Sequence, residues 1–153
     1  FNLKITDMQA AIGCAQLEKL DTIVAARRKN WARLHEGLKD LPQLILPEAE
    51  PNSNPSWFGF LIAVKDDAGF TRNELTSFLE SRKIQTRNLF AGNLIKHPAF
   101  DEMRQSGEGY RVVGELRMTD FVMNNGFWIG VYPGMTDEMI DWMIDKIKEF
   151  CNK

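Results

Sequence analysis

Trp57-Phe58-Gly59-Phe60-Leu61-Ile62-Ala63-Val64 is the run whose reading decides the fold. Aromatic and branched side chains suit a pleated surface, and the run predicts a buried strand from Ser56 to Lys65. It is preceded by a loop marked by Pro42, Pro47, Pro51 and Pro55 with Asn52-Ser53-Asn54, a candidate subdomain break. Downstream, Thr71-x-x-Glu74 is a capping box, in which hydroxyl and carboxylate satisfy two orphan backbone N–H groups. It opens a helix with Leu75, Phe78 and Leu79 on its apolar side, ending near Ser81. Ile84 to Leu89 predicts a second strand. Phe127 to Tyr132 predicts a third, stopped by Pro133-Gly134. Thr136 caps a last helix whose Ile140, Met143, Ile144, Ile147 and Phe150 form one stripe.

Upstream, Thr6-x-x-Gln9 is another capping box, with Asp7 placed to meet the positive helix end. The first helix carries Met8, Ala11, Ile12, Ala15 and Leu20 at near-helical spacing. Its small residues Ala10, Ala11, Gly13, Cys14 and Ala15 permit close approach of another element. Asp21 is expected to cap a second helix to about Leu38, with Ile23, Trp31, Leu34 and Leu38 inward. Arg27-Arg28-Lys29 reads as a solvated face and His35 as structural. From Leu89 through Asp101 the pattern is a loop, and helical turns are expected between Tyr110 and Asn125.

The order helix, helix, strand, helix, strand, loop, strand, helix predicts an α+β fold. A short, mainly antiparallel sheet with helices packed on one face is the expected architecture. Residues 1–40 form an N-terminal helical segment and residues 41–153 a small α+β domain, in one structural unit.

Composition excludes several function classes. The chain has 153 residues, 44% hydrophobic and 26% charged, enough for a core of its own. Nineteen basic and 21 acidic residues give a net charge of −2, which argues against a nucleic-acid surface. No apolar run reaches the roughly 20 residues needed to span a bilayer. Cys14 and Cys151 lack metal-ligand spacing and read as reduced thiols, so a cytoplasmic domain is expected.

No complete catalytic constellation is visible: no phosphate loop followed by Lys, no paired His ligands and no nucleophile elbow. Polar residues without a structural role gather at Asn2-Leu3-Lys4 and in Thr86 to Phe100. Arg87 leaves a strand end, where a guanidinium could grip a phosphate or carboxylate through two hydrogen bonds. The alternative is a rim loop whose Arg makes an ordinary salt bridge. Gly92 allows close backbone approach, Asn93, Lys96 and His97 add polar groups, and Phe90 could stack or line a pocket.

Phe1-Asn2-Leu3-Lys4-Ile5-Thr6-Asp7-Met8-Gln9-Ala10-Ala11-Ile12-Gly13 resembles the opening of the C-terminal domain in the DegT/DnrJ/EryC1/StrS sugar aminotransferases. These are fold type I enzymes dependent on pyridoxal phosphate. Ile84-Gln85-Thr86-Arg87 and Phe127 to Gly134 follow in the family's order. Thr86 to Leu94, with His97-Pro98-Ala99-Phe100, is most similar to the CDP-4-dehydro-6-deoxyglucose 3-dehydrases of lipopolysaccharide synthesis. That resemblance implies pyridoxamine 5'-phosphate, a 2Fe–2S cluster, a reductase partner and a homodimer in a longer parent enzyme. It implies cofactor contacts from Asn2 and Lys4 and nucleotide-sugar contacts from Arg87, Asn93 and His97. It supplies no catalytic or metal-binding residue in this chain. The cofactor domain, the catalytic His (Lys in aminotransferases) and the cluster cysteines would precede Phe1, leaving the chain alone inactive. An aminotransferase domain and a non-catalytic α+β binding domain are the alternatives. The face of the first helix is expected to be the seam to the missing domain, exposed or covered by another copy.

Overall fold

Local capping sets most of the helix starts. The computed structural model of the chain describes residues 3–152. Helix α1, Asp7–Leu17, begins at the Thr6–Gln9 box, and α3, Arg72–Ser81, at the Thr71–Glu74 box, with both reciprocal bonds of each box present. Thr136 accepts the Met139 N–H at the head of α6, Asp137–Cys151. Helix α2 differs from expectation. It spans Leu20–Leu38 with Lys19 at the cap position and no side-chain cap bond. Asp21 instead lies within the first turn, where its charge meets the positive helix end.

Strands β1 (Leu44–Ile45), β2 (Gly59–Val64), β3 (Thr86–Asn88) and β4 (Gly126–Gly130) form a sheet ordered β1-β2-β4-β3 among the described residues. All three pairings are antiparallel. Alternation divides the sheet cleanly. Phe60, Ile62 and Val64 from β2, with Phe127 and Ile129 from β4 and Val131 just beyond it, are at most 2% exposed. Leu34 and Leu38 of α2, Leu75 and Leu79 of α3, and Ile140, Ile144 and Ile147 of α6 pack in the same core. Each such burial is worth about 1.5–3 kcal/mol, which makes this one-sided layer the energetic centre of the fold. Residues 1–40 thus contribute to the core through α2, whereas α1 has no buried residue. Leu3, Met8 and Leu17 are 90%, 79% and 68% exposed.

Between β3 and β4 the chain makes two 3-10 turns, Leu94–Lys96 and Pro98–Phe100, then α4 (Asp101–Ser106) and α5 (Arg117–Asn125). The helical turns anticipated from Tyr110 begin only at Arg117.

Strand β2 starts three residues later than the sequence predicts, for a backbone reason. Trp57 adopts φ 52, a left-handed conformation costly for a bulky residue, and the extended run cannot pass through it. Arg27 Nε donates to the Trp57 carbonyl at 2.6 Å and its Nη2 to the Phe58 carbonyl at 2.8 Å. Arg28 likewise donates to the carbonyls of Pro55 and Asn54, at 3.1 and 2.6 Å. Trp57 stacks flat on Trp31 of α2, with centroids 4.1 Å apart. Arg27 and Arg28 are therefore a clamp on the strand entry, not a plain solvated face. Lys29 is the exposed member of the run and pairs with Asp137 at 2.8 Å.

Candidate functional site

The face of the sheet opposite the core is built from the other half of the alternation. Arg87 of β3 lies opposite Trp128 of β4, and Trp128 lies opposite Leu61 of β2. One step along, Gly59 faces Gly130. A Cβ on Gly130 would come no nearer than 4.0 Å to Tyr132, so this part of the face is bare backbone. Phe58 and Phe90 flank Trp128, each with its ring centroid 5.1 Å from the indole. A cavity of about 880 Å³ extends from this face to the helix side, lined by Phe58, Gly59, Arg87, Trp128, Gly130 and Tyr132 and by Met139, Trp142 and Met143 of α6.

Arg87 is exposed, and its guanidinium makes no hydrogen bond or salt bridge with the described residues. The salt bridge that an ordinary rim Arg would make is not formed. The neighbouring carboxylate, Glu80, is already engaged: the Thr86 N–H donates to it at 2.5 Å and the Thr86 hydroxyl at 2.8 Å. Those bonds, with a smaller contribution from the Arg87 charge, hold the Glu80 carboxyl below the usual carboxylate range. Arg87 thus remains a solvated cation beside an aromatic, side-chain-poor floor, an arrangement suited to an anion carrying a flat or apolar group.

The loop after β3 is shaped by its own polar residues. Asn93 is 2% exposed; its Nδ2 donates to Asp120 at 2.8 Å and its N–H to the Met123 sulfur at 3.3 Å. Lys96 pairs with the other Asp120 oxygen at 2.7 Å, and the Lys96 and Asn93 bonds lower the Asp120 pKa. The His97 ring nitrogen Nε2 meets the Ala91 carbonyl. Gly92, at φ 65, lies against Met123. The structure therefore brings Arg87 to the cavity, while Asn93 engages Asp120 and Met123 of α5 and His97 the Ala91 carbonyl of its own loop. Phe90, itself at φ 46, stands 80% exposed.

Lys4 lies in the exposed segment ahead of α1. Asn2 falls outside the described residues. Cys14 is exposed and Cys151 buried, the latter with its thiol pushed up to about 11 by burial. Among the described residues no group of three or more His, Cys, Asp or Glu side chains is placed to hold a metal ion. No described helix is long and apolar enough to cross a membrane.

Sequence reading missed Phe58, Trp128, Gly59 and Gly130 as site residues. Strand alternation assigns Phe58 to the core with Phe60; the turn at Trp57 overrides it. The available signal was a Gly wedged between large aromatics at a strand entry, a common mark of close approach.

Comparison with known proteins gives this geometry a context. The chain is 53% identical over 153 residues to dTDP-4-dehydro-2,6-dideoxy-D-glucose 3-dehydratase of Saccharopolyspora spinosa, covering all of this chain and 32% of that protein. It is 51% identical over 151 residues to the lipopolysaccharide biosynthesis protein RfbH of Salmonella typhimurium, covering 98% of this chain and 33% of that protein. The chain thus spans about a third of the length of these curated relatives. Among solved structures, Escherichia coli GDP-4-keto-6-deoxy-D-mannose-3-dehydratase with bound hydrated PLP superposes with a TM-score of 0.82 at 28% identity, covering 97% of this chain and 36% of that one. A mutant GDP-4-keto-6-deoxymannose-3-dehydratase with bound GDP-perosamine gives 0.83 at 29%, covering 97% and 37%. A family match extends over residues 1–148. The fold is that of the small domain in fold type I pyridoxal phosphate enzymes, and the chain belongs to the DegT/DnrJ/EryC1/StrS aminotransferase family.

Proposed function

We propose that the chain is the substrate-facing small domain of a longer nucleotide-sugar 3-dehydratase. Its substrate would be CDP-4-dehydro-6-deoxyglucose, in lipopolysaccharide deoxysugar synthesis, and the chain alone would be inactive. The observation that carries this reading is the uncommitted Arg87 on the sheet face opposite the core, beside an aromatic cavity. A diphosphate supplies the anion that a guanidinium fork takes in two hydrogen bonds. The sugar 3-dehydratase at 53% identity supports dehydration over amination, and the lipopolysaccharide biosynthesis protein at 51% supports the lipopolysaccharide setting. The transaminase of Shigella dysenteriae acting on an amino-dideoxyglucose nucleotide stands at 24%.

Within residues 1–40, α2 packs in the core and α1 would be the joint to a cofactor-binding part. An amide at Asn2 and an ammonium at Lys4, the latter exposed, are donors that fit a cofactor phosphate, reached across a homodimer interface. When bound, pyridoxamine 5'-phosphate supplies the electron sink that allows the C3 hydroxyl to leave. A 2Fe–2S cluster and a reductase partner would deliver electrons, with cluster ligands outside this chain. The chain's own residues bind and orient. Arg87 holds the diphosphate, and the loop shaped by Asn93, Lys96 and His97 presents Phe90 to the same face.

The test is product analysis with the full-length protein, cofactor and CDP-4-dehydro-6-deoxyglucose. With a reductase and its reductant also supplied, conversion to the 3-deoxy sugar is expected, the C3 oxygen leaving as water with uptake of two electrons and two protons. A glutamate-dependent amino sugar instead would assign the protein to the transaminases of the family.

A further inference from the structure

Two aromatic residues of this chain hold left-handed backbone conformations beside residues that line the cavity: Trp57 at φ 52, next to Phe58, and Phe90 at φ 46, with its ring against Trp128. Such outliers persist only where surrounding structure over-determines them, and they gather at functional sites. Here they share one effect. The turn at Trp57 sends its own ring to Trp31 on the core side and releases Phe58, 77% exposed, to the opposite face. Phe90 reaches the same place from the other edge. Both rings stand against Trp128, tilted 56° and 73° from the indole plane. Phe58 and Phe90 stand exposed on either side of the half-buried Trp128, an aromatic surface of the kind on which a planar ring stacks, and the paired hydrogen bonds of Arg27 fix the Phe58 side of it.

We propose that Phe58, Trp128 and Phe90 form a stacking platform for the base of the bound nucleotide, with Arg27 as the positioning residue that sets Phe58. This rests on the nucleotide-sugar reading of the Arg87 face. The geometry favours the base because Arg87 sits one strand away from Trp128 on the same face. That leaves the diphosphate and the base separated by a ribose, within reach of an arginine side chain. Stacking on aromatic rings is tolerant of base identity, so the platform gives affinity without choosing among bases. Arg27 touches no ligand. It acts by fixing the Trp57 and Phe58 carbonyls, at 2.6 and 2.8 Å.

The test is calorimetric titration of the full-length protein with CDP and, separately, with inorganic pyrophosphate. In Phe58→Ala the Kd for CDP should rise about tenfold or more, while that for pyrophosphate stays within about twofold. Phe58→Tyr should restore CDP binding, and Arg27→Ala should reproduce the selective loss. Arg87→Ala should weaken both ligands. Unchanged CDP affinity in Phe58→Ala, with Arg87→Ala still defective, overturns the platform and leaves the nucleotide-sugar reading standing. Equal loss of CDP and pyrophosphate in Phe58→Ala also overturns it, since that pattern marks a merely structural residue. No effect of Arg87→Ala on either ligand removes the underlying reading, and the platform with it.

Discussion

Arg87 is available because its neighbours are not. Glu80, the carboxylate that its charge reaches, accepts two bonds from Thr86. A sequence shows Arg87 leaving a strand, which made the residue legible; it does not show that the adjacent acid is already spent. Asn93 illustrates the reverse. Its polarity marked it as a site residue, but its partner Asp120 lies in α5, and only the fold brings them together. Asn93→Ala removes this charge-assisted bond, leaving the part-exposed Asp120 to Lys96 and water, and should lower the urea midpoint modestly. At Arg87 itself, Lys should restore only part of the affinity lost in Arg87→Ala, because an ammonium cannot supply the planar fork. Competition titrations with CDP on the two full-length variants would show the difference.

At the scale of elements, the two capping boxes are chemically alike and structurally unequal. Helix α3 buries Leu75 and Leu79, whereas α1 buries nothing. Thr71→Ala should cost about 1 kcal/mol in global stability, while Thr6→Ala should leave the unfolding midpoint of this chain in place. The α2–α6 contact gives a second case. A Cβ on Gly37 would lie 2.5 Å from Ile144 Cδ1, in a packed core. Gly37→Ala gains helix propensity but overpacks this contact, so thermal unfolding should occur at a lower temperature, and Ile144→Val should recover part of the loss.

The same two helices set a pH dependence. Arg33 donates to Asp141 at 2.8 and 2.7 Å and Lys29 to Asp137 at 2.8 Å, and both carboxyls titrate below their ordinary value of 3.8. Folded pKa values below the unfolded ones mean stability that is full above about pH 4 and lost as the pH falls through the folded values. Urea midpoints measured from pH 7 down to pH 3 should fall less steeply in Asp141→Asn than in the wild type.

For the molecule as a whole, the asymmetry of the sheet is the organising fact. Helices cover one face, and Arg87, Trp128 and two glycines occupy the other. The α+β class and the one-sided packing were legible because caps, stripes and alternation are local. The order β1-β2-β4-β3 was not, since β2 and β4 pair across a long intervening segment and β1 is two residues within a proline-rich loop. The Phe58 turn escaped for the same reason: its clamp comes from α2. Exposed α1 fits a chain that spans about a third of its relatives, and deleting residues 1–18 should leave the melting temperature of the remaining unit unchanged.

The most direct test of the Arg87 face as the nucleotide-sugar face is steady-state kinetics of the full-length protein with CDP-4-dehydro-6-deoxyglucose, wild type against Arg87→Ala. Loss of a charge-assisted contact of about 1.5–3 kcal/mol predicts a KM higher by about ten- to a hundredfold, with kcat little altered. A KM and kcat equal to those of the wild type would contradict it.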